Sequence, residues 1–316
     1  MTKVAIVGGG LIGAGWAGAF AGAGHETVVL DPDPESVQRV ADSWSAARTI
    51  MERLGNLAET AVAPRVVRHP EELDSPDFVQ EALPESLALK NKVLPSVEKQ
   101  VSAETIIASS SSSFTADDIA RGLARPQNVL IGHPCNPPYL MPVVEIVGST
   151  ATAPETLANA RGVYEGIGKT VLEMKKAVPG HLVNRLQAAL WREAVHLVAT
   201  GAASLEETER AVTLALAPRW CLIGPSSVFA LAGGKQGMAG FLEALGEPFE
   251  ALWDDLGTPR LDAKTRDSLV TAFDAAGLPP LEEVAKSRDA KLSALLKVLS
   301  GPEFAGPQTE KTEKNR

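Results

Sequence analysis

Lys3-Val4-Ala5-Ile6-Val7-Gly8-Gly9-Gly10-Leu11-Ile12-Gly13 lies near the start of this chain of 316 residues and is its most informative stretch. Val4–Val7 is a short apolar run of strand character, and Leu11–Ala23 is a small-residue helix. Between them lies a G-x-G-x-x-G. In a strand–turn–helix, Gly8 permits the tight turn, Gly10 lets the backbone approach a pyrophosphate, and Gly13 lets helix and strand pack closely. The free N–H groups of Gly10, Leu11, Ile12 and Gly13 at the helix start would face the phosphates. A second strand, Thr27–Leu30, ends at Asp31, where a carboxylate binds a ribose 2′-hydroxyl and repels a 2′-phosphate. Pro32 and Asp33 supply no arginine to offset it, so the reading favours NAD over NADP, with FAD as the competing dinucleotide. Eight of the 27 glycines fall within the first 24 residues, and a phosphate cradle accounts for that crowding.

Outward from this unit, strand-like runs at Phe78–Leu83, Thr105–Ala108, Val129–Ile131 and Val143–Val147 alternate with helical stretches. Those helices are Pro34–Leu54, Ser86–Val101, Thr115–Arg121 and Pro154–Gly166. Alternation of this kind predicts an α/β, Rossmann-type doubly wound, mostly parallel sheet. From Pro179 onward the pattern is helical only: Gly180–Thr200, Ser204–Leu216, Gly237–Leu245, Asp262–Ala275 and Leu281–Leu299. The expected organisation is a dinucleotide-binding domain over residues 1–178, an all-α domain over 179–300, and a disordered tail over 301–316.

Thirty basic against 39 acidic side chains give a formal charge of −9, which disfavours a nucleic-acid partner. Two cysteines, Cys135 and Cys221, are too few for a disulfide framework, and no apolar run is long enough for a transmembrane helix. A cytoplasmic protein with no metal site and no membrane partner is expected.

Two residues stand out beyond the glycines. His133 follows the strand Val129–Ile131, where doubly wound sheets gather their chemistry, and Glu145 lies inside an apolar strand. A buried carboxylate needs a partner, and a histidine is a suitable one. On spacing alone a structural role for both remains open. The runs Ala108-Ser109-Ser110-Ser111-Ser112-Ser113, His133-Pro134-Cys135-Asn136-Pro137-Pro138-Tyr139 and Pro179-Gly180-His181-Leu182-Val183-Asn184-Arg185 resemble the 3-hydroxyacyl-CoA dehydrogenase superfamily. Arg219-Trp220-Cys221-Leu222-Ile223-Gly224-Pro225 is most similar to its λ-crystallin/L-gulonate 3-dehydrogenase branch, with L-carnitine dehydrogenases as near relatives. The resemblance spans Lys3 to about Pro225.

It implies that His133 is the general base and Glu145 its orienting partner, with Ser112 and Asn184 bonding the substrate oxygen. It also implies that Ser112 and Asn136 approach the nicotinamide and that Glu85 and Lys90 contact the cofactor's ribose. A homodimer through the helical domain is expected from the same source. Cys135 and the remaining histidines, His181 among them, are read as structural, surface or packing residues.

No lysine lies between Lys3 and Lys90, and Arg39, Arg48 and Arg53 are offset by neighbouring acids, so no basic patch awaits the phosphates of coenzyme A. Arg219, beside Trp220, suits a free carboxylate, which a guanidinium grips with two hydrogen bonds. The leading expectation is NAD-dependent oxidation of the 3-hydroxyl of a small free hydroxy acid, L-gulonate-like. The alternatives are L-carnitine, whose trimethylammonium group would suit Trp191 or Trp220, a 3-hydroxyacyl-CoA, and a non-catalytic crystallin-like dinucleotide binder. A tryptophan on a helix is otherwise a core residue.

Overall fold

The structure is a computed structural model and describes residues 2–300. Its first half is an eight-stranded sheet in the order β3-β2-β1-β4-β5-β6-β7-β8. The strands are β1 (Lys3–Val7), β2 (Glu26–Leu30), β3 (Arg65–Val67), β4 (Phe78–Glu81), β5 (Ile106–Ser109), β6 (Val129–Pro134), β7 (Val143–Gly148) and β8 (Thr170–Glu173). Helices α1 (Leu11–Gly22), α2 (Ser36–Leu54), α3 (Leu87–Glu98), α4 (Ala116–Ala120) and α5 (Pro154–Gly166) connect them. Every pairing is parallel except β6 with β7, so the doubly wound, mostly parallel sheet is present as expected.

The strands are apolar throughout because helices cover both faces. On one face Trp16, Phe20 and Tyr164 pack with Ile6 and Ile146; on the other, Leu94, Ile107 and Ile119 pack with Val7 and Ile131. Burying an aromatic such as Phe20 contributes about 1.5–3 kcal/mol over leaving it exposed. A polar thread runs through the first layer. Tyr164 donates to Gln80 at 2.5 Å, Gln80 donates to Ser110 at 2.8 Å, and the Trp16 indole donates to the same hydroxyl at 3.1 Å.

The glycines of α1 divide between two duties. A Cβ on Gly13 would meet the Gly8 carbonyl oxygen at 1.8 Å, and Gly10 faces open space. Gly15, Gly18 and Gly22 instead admit Pro138, Ala47 and Met51, each within 2.7 Å of a would-be Cβ. The phosphate cradle therefore explains only the front of the cluster; the rest lets α2 and the loop after β6 lie against α1.

The described residues divide into two compact units, one ending at Arg185 and one beginning at Leu186, within the first turn of α6 (Val183–Ala199). The second unit is helical, as expected. It contains α7 (Leu205–Arg210), a π-helical stretch at Ala211–Leu216, α8 (Ala217–Trp220), α9 (Pro225–Ala232), α10 (Met238–Asp255), α11 (Ala263–Ala275) and α12 (Leu281–Leu299). Phe229, Phe241 and Phe249 form its aromatic knot, with ring centroids 4.9–5.3 Å apart. Strands β3 and β8 and helix α9 were not anticipated, and α10 continues ten residues past Leu245 with Pro248 inside it. The tail expected over residues 301–316 lies outside the described residues. Among the described residues no single helix is long and apolar enough to cross a membrane.

Candidate active site

The one antiparallel pairing among the described strands brings the two candidate residues together. In the β6–β7 register His133 lies directly opposite Glu145. Directly opposed side chains project to the same face, with Cβ atoms about 4.5–5.5 Å apart. His133 Nδ1 and Glu145 Oε2 are 2.8 Å apart, both side chains buried. Since an ionised carboxylate only accepts, the proton of a neutral His133 sits on Nδ1, leaving a lone pair on Nε2.

The other carboxylate oxygen is equally engaged. Glu145 Oε1 accepts from the backbone N–H of Leu182 at 2.7 Å and of Val183 at 2.9 Å, at the start of α6. Burial alone would raise the Glu145 carboxyl, but the bonds from His133 and the two amides outweigh it and hold the group below the usual carboxylate range. It is therefore ionised at neutral pH. Asn184 follows in the first turn of α6, half-buried.

The serine loop after β5 is held by a second carboxylate. Glu85 Oε1 accepts from the hydroxyls of Ser111 and Ser113, each at 2.7 Å, and from the amides of Ser113 and Ser112 at 2.8 and 3.0 Å. Burial opposes ionisation here too, yet these donors, together with Lys90, push the carboxyl down to about 2. Lys90 Nζ is buried, with Glu81 at 2.7 Å, the Leu83 carbonyl at 3.2 Å and Glu85 at 3.4 Å. Its protons are thus engaged within the protein, and Lys90 sets the position of Glu85 from beneath. Ser109 closes the network by donating to Glu81. On the opposite side the Gly180 amide donates to the Ser112 carbonyl at 3.1 Å.

Beside this lies a cavity of about 570 Å³ at the strand carboxyl ends, lined by Gly10, Ile12, Asp31, Arg39 and Pro84 among others. It sits where β1 has β2 on one side and β4 on the other, the switch point at which doubly wound sheets bind nucleotides. Gly8 has φ +104°, and a Cβ there would strike the Ala82 carbonyl oxygen at 2.6 Å. Asp31 accepts from the amides of Gly9 at 2.6 Å and Asp33 at 2.9 Å, which fixes its carboxylate at the rim. The residues present fit a dinucleotide: an open Gly10, free amides at the start of α1, and an acid for the ribose.

Two residues escaped sequence reasoning. Arg39, on α2, reaches this cavity, where Asp33 holds it at 2.7 Å and Glu35 at 3.7 Å, and its Nε donates to the Gly9 carbonyl at 3.2 Å. The acids at 33 and 35 ahead of an arginine at 39 are the signal that could have found it. Of the surface and packing roles expected for His181, the structure has it packed inside, with a polar contact as well. It is buried, its ring centroid is 4.9 Å from that of His133, and Nε2 lies 2.8 Å from the Ser111 carbonyl. Asn136 is exposed on the loop after β6. Arg219 and Trp220 lie on α8 of the helical unit; Arg219 is exposed and its Nε donates to the Ala215 carbonyl at 3.0 Å. Trp191 is 53% exposed on α6, not part of a core. Among the described residues no His/Cys/Asp/Glu group is arranged for a metal ion.

Comparison with known proteins matches residues 3–177 to the NAD binding domain of 3-hydroxyacyl-CoA dehydrogenase and residues 180–271 to its C-terminal domain. The chain belongs to the 3-hydroxyacyl-CoA dehydrogenase family. It is accordingly an NAD-dependent oxidoreductase acting on CH–OH groups. It is 40% identical over 279 residues to an L-carnitine dehydrogenase of Streptomyces griseus subsp. griseus, covering 87% of this chain and 83% of the relative. With the L-carnitine dehydrogenase of Streptomyces coelicolor it shares 38% identity over 309 residues, 96% and 97% of the two chains. Among solved structures it resembles a 5-formyl-3-hydroxy-2-methylpyridine 4-carboxylic acid 5-dehydrogenase, an NAD+-dependent dismutase. The TM-score is 0.83 at 27% identity, over 95% and 99% of the two chains.

Proposed function

We propose that this family member oxidises the 3-hydroxyl of a small free hydroxy acid bearing a quaternary ammonium group, L-carnitine, to the 3-keto acid. The His133–Glu145 pair carries the reaction type. The relatives' substrate, shared across nearly the full chain, favours L-carnitine over the L-gulonate expected from the motifs. NAD, when bound, supplies the hydride acceptor. Gly8, Gly10, Leu11, Ile12, Gly13 and Asp31 would hold its phosphates and adenosine ribose, while Glu85, Ser112 and Asn136 would face its nicotinamide half. As C3–O becomes a carbonyl, His133 Nε2 takes the hydroxyl proton, Glu145 balances the imidazolium, and Ser112 and Asn184 donate to the oxygen. General-base assistance of this kind contributes about 10²–10⁴-fold.

Residues 55–64 after α2 form no second helix, so no helical hairpin stands where an acyl-CoA enzyme would meet the CoA phosphates. That, and the absence of lysine between Lys3 and Lys90, supports a free acid. Arg219 carries the chemistry for the carboxylate, and the exposed face of Trp191 or the partly exposed Trp220 carries it for the trimethylammonium group. Exposed apolar residues on the helical unit, such as Leu242, Leu252 and the 63% exposed Trp253, support a homodimer through that unit. The free cysteines Cys135 and Cys221 suit the cytoplasm.

The test is NADH formation with L-carnitine, L-gulonate, 3-hydroxybutyrate and a 3-hydroxyacyl-CoA, each with wild type and Arg219→Met. L-Carnitine should be turned over best, and Arg219→Met should raise its KM about 10–100-fold, the worth of a charge-assisted bond. Activity confined to the CoA ester would overturn the reading.

A further inference from the structure

The segment that leads into α6 joins the serine loop to the catalytic pair, and its connections are made in sequence order. Gly180 N–H donates to the Ser112 carbonyl, His181 Nε2 lies 2.8 Å from the Ser111 carbonyl, and the amides of Leu182 and Val183 hold Glu145. Gly180 has φ +77° and His181 φ +50°, so two consecutive left-handed residues turn the chain here. The left-handed region is natural for glycine and unfavourable for a histidine, so the surroundings must hold His181 in place. They do so through its ring. The Ser111 carbonyl can only accept, so Nε2 carries the proton and Nδ1 the lone pair. That Nδ1 is buried and has no hydrogen-bond partner among the described residues.

We propose that His181 is a positioning residue: its Nε2–H bond to Ser111 locks the serine loop in register with the His133–Glu145 pair. This rests on the reading of His133 as the base. The ring stands against His133 at 45° between planes, so the same side chain touches both the serine loop and the base. Its charge state fits that duty. Burial pushes His181 below the ordinary histidine range. The bond to Ser111 opposes this, the charge of His133 on β6 adds to it, and Glu145 on β7 and Glu85 after β4 pull the other way. A neutral His181 puts no second cation beside His133 at the moment the base takes its proton.

Two substitutions separate positioning from packing. His181→Phe keeps an aromatic ring against His133 and removes the donor; His181→Gln keeps an N–H at the position of Nε2 and removes the ring. L-Carnitine oxidation is measured for both, beside wild type and His133→Asn, with NADH binding followed by fluorescence titration. A misplacement of about 1 Å at a reacting group costs on the order of 10²-fold, so His181→Phe should lower kcat about 10–100-fold. NADH affinity should stay near the wild-type value, and His181→Gln should recover most of the lost kcat. Wild-type kcat in His181→Phe, or a His181→Gln more impaired than His181→Phe, overturns the proposal. If wild type oxidises no acid in the substrate panel, or His133→Asn is fully active, the underlying reading of the active site fails instead.

Discussion

Replacing Glu145 by glutamine changes one atom and removes one charge from a group that bonds both His133 and the start of α6. Glu145 Oε1 receives two amides at 2.7 and 2.9 Å, and a glutamine carbonyl can keep both. Its NH₂ then faces His133 Nδ1, which must become an acceptor. The proton moves to Nε2, and the base presents a donor to the substrate hydroxyl. The charge matters as well. At the 2.8 Å separation of His133 and Glu145, a full ion pair at an effective dielectric constant of 20 is worth about 6 kcal/mol. A transition state with the proton half transferred would lose about 3 kcal/mol, roughly 10² in rate. With the wrong tautomer added, the expected loss in kcat is about 10³–10⁴, similar to the effect of an Asp→Asn change in a Ser-His-Asp triad. Steady-state NADH formation from L-carnitine measures the loss, with NADH binding and thermal melting as controls for an intact fold. A kcat within tenfold of wild type, with both controls normal, would refute the assignment of Glu145 as the group that sets the histidine's tautomer.

Three further outcomes follow from the same geometry. The Glu85 carboxyl is held down to about 2, against an ordinary 4.5. Its contribution to stability is therefore complete above about 4.5 and is lost as pH falls toward 2, so wild type should lose melting temperature across that window more steeply than Glu85→Gln. Freeing Arg39 from Asp33 while removing the rim acid, in Asp31→Ser/Asp33→Asn, should improve NADP over NAD by about 10–100-fold in relative kcat/KM, the worth of one or two charge-assisted bonds to the 2′-phosphate. An unchanged cofactor ratio would show that Arg39 does not reach the 2′ position. Lys169, buried and pushed down to about 8 by that burial, donates to the Pro138 and Met141 carbonyls that shape the loop bearing Asn136. Lys169→Met leaves one buried and one half-buried acceptor unpaired and should cost about 2–4 kcal/mol in denaturant unfolding, lessened by the loss of a buried charge.

Much of this was legible in the chain because it was local. A strand, a glycine turn, a helix and an acid after the next strand are contiguous in sequence, and their chemistry depends on that contiguity. The edge strands β3 and β8 carried no such signal: three and four residues that contain Arg65, Thr170 and Glu173 are too short and polar to stand out. Helix α9 is marked in sequence only by Gly224 before a proline at its first position, a pair that turns also use. A helix ending at Leu245 falls short because α10 runs through Pro248, where packing around Phe241 and Phe249 outweighs a single missing N–H. The pairing of His133 with Glu145 depends on an antiparallel register that neither residue encodes alone. The place of His181 depends on a reversal 48 residues further on, which only a left-handed glycine hinted at.

The most direct test of the account is kcat/KM for L-carnitine with NAD in His133→Gln against wild type, with NADH binding measured on the same samples. A loss of about 10²–10⁴-fold at unchanged NADH affinity is expected, because the cradle of Gly8–Gly13 is untouched while the base is gone. Activity within a few-fold of wild type would contradict it.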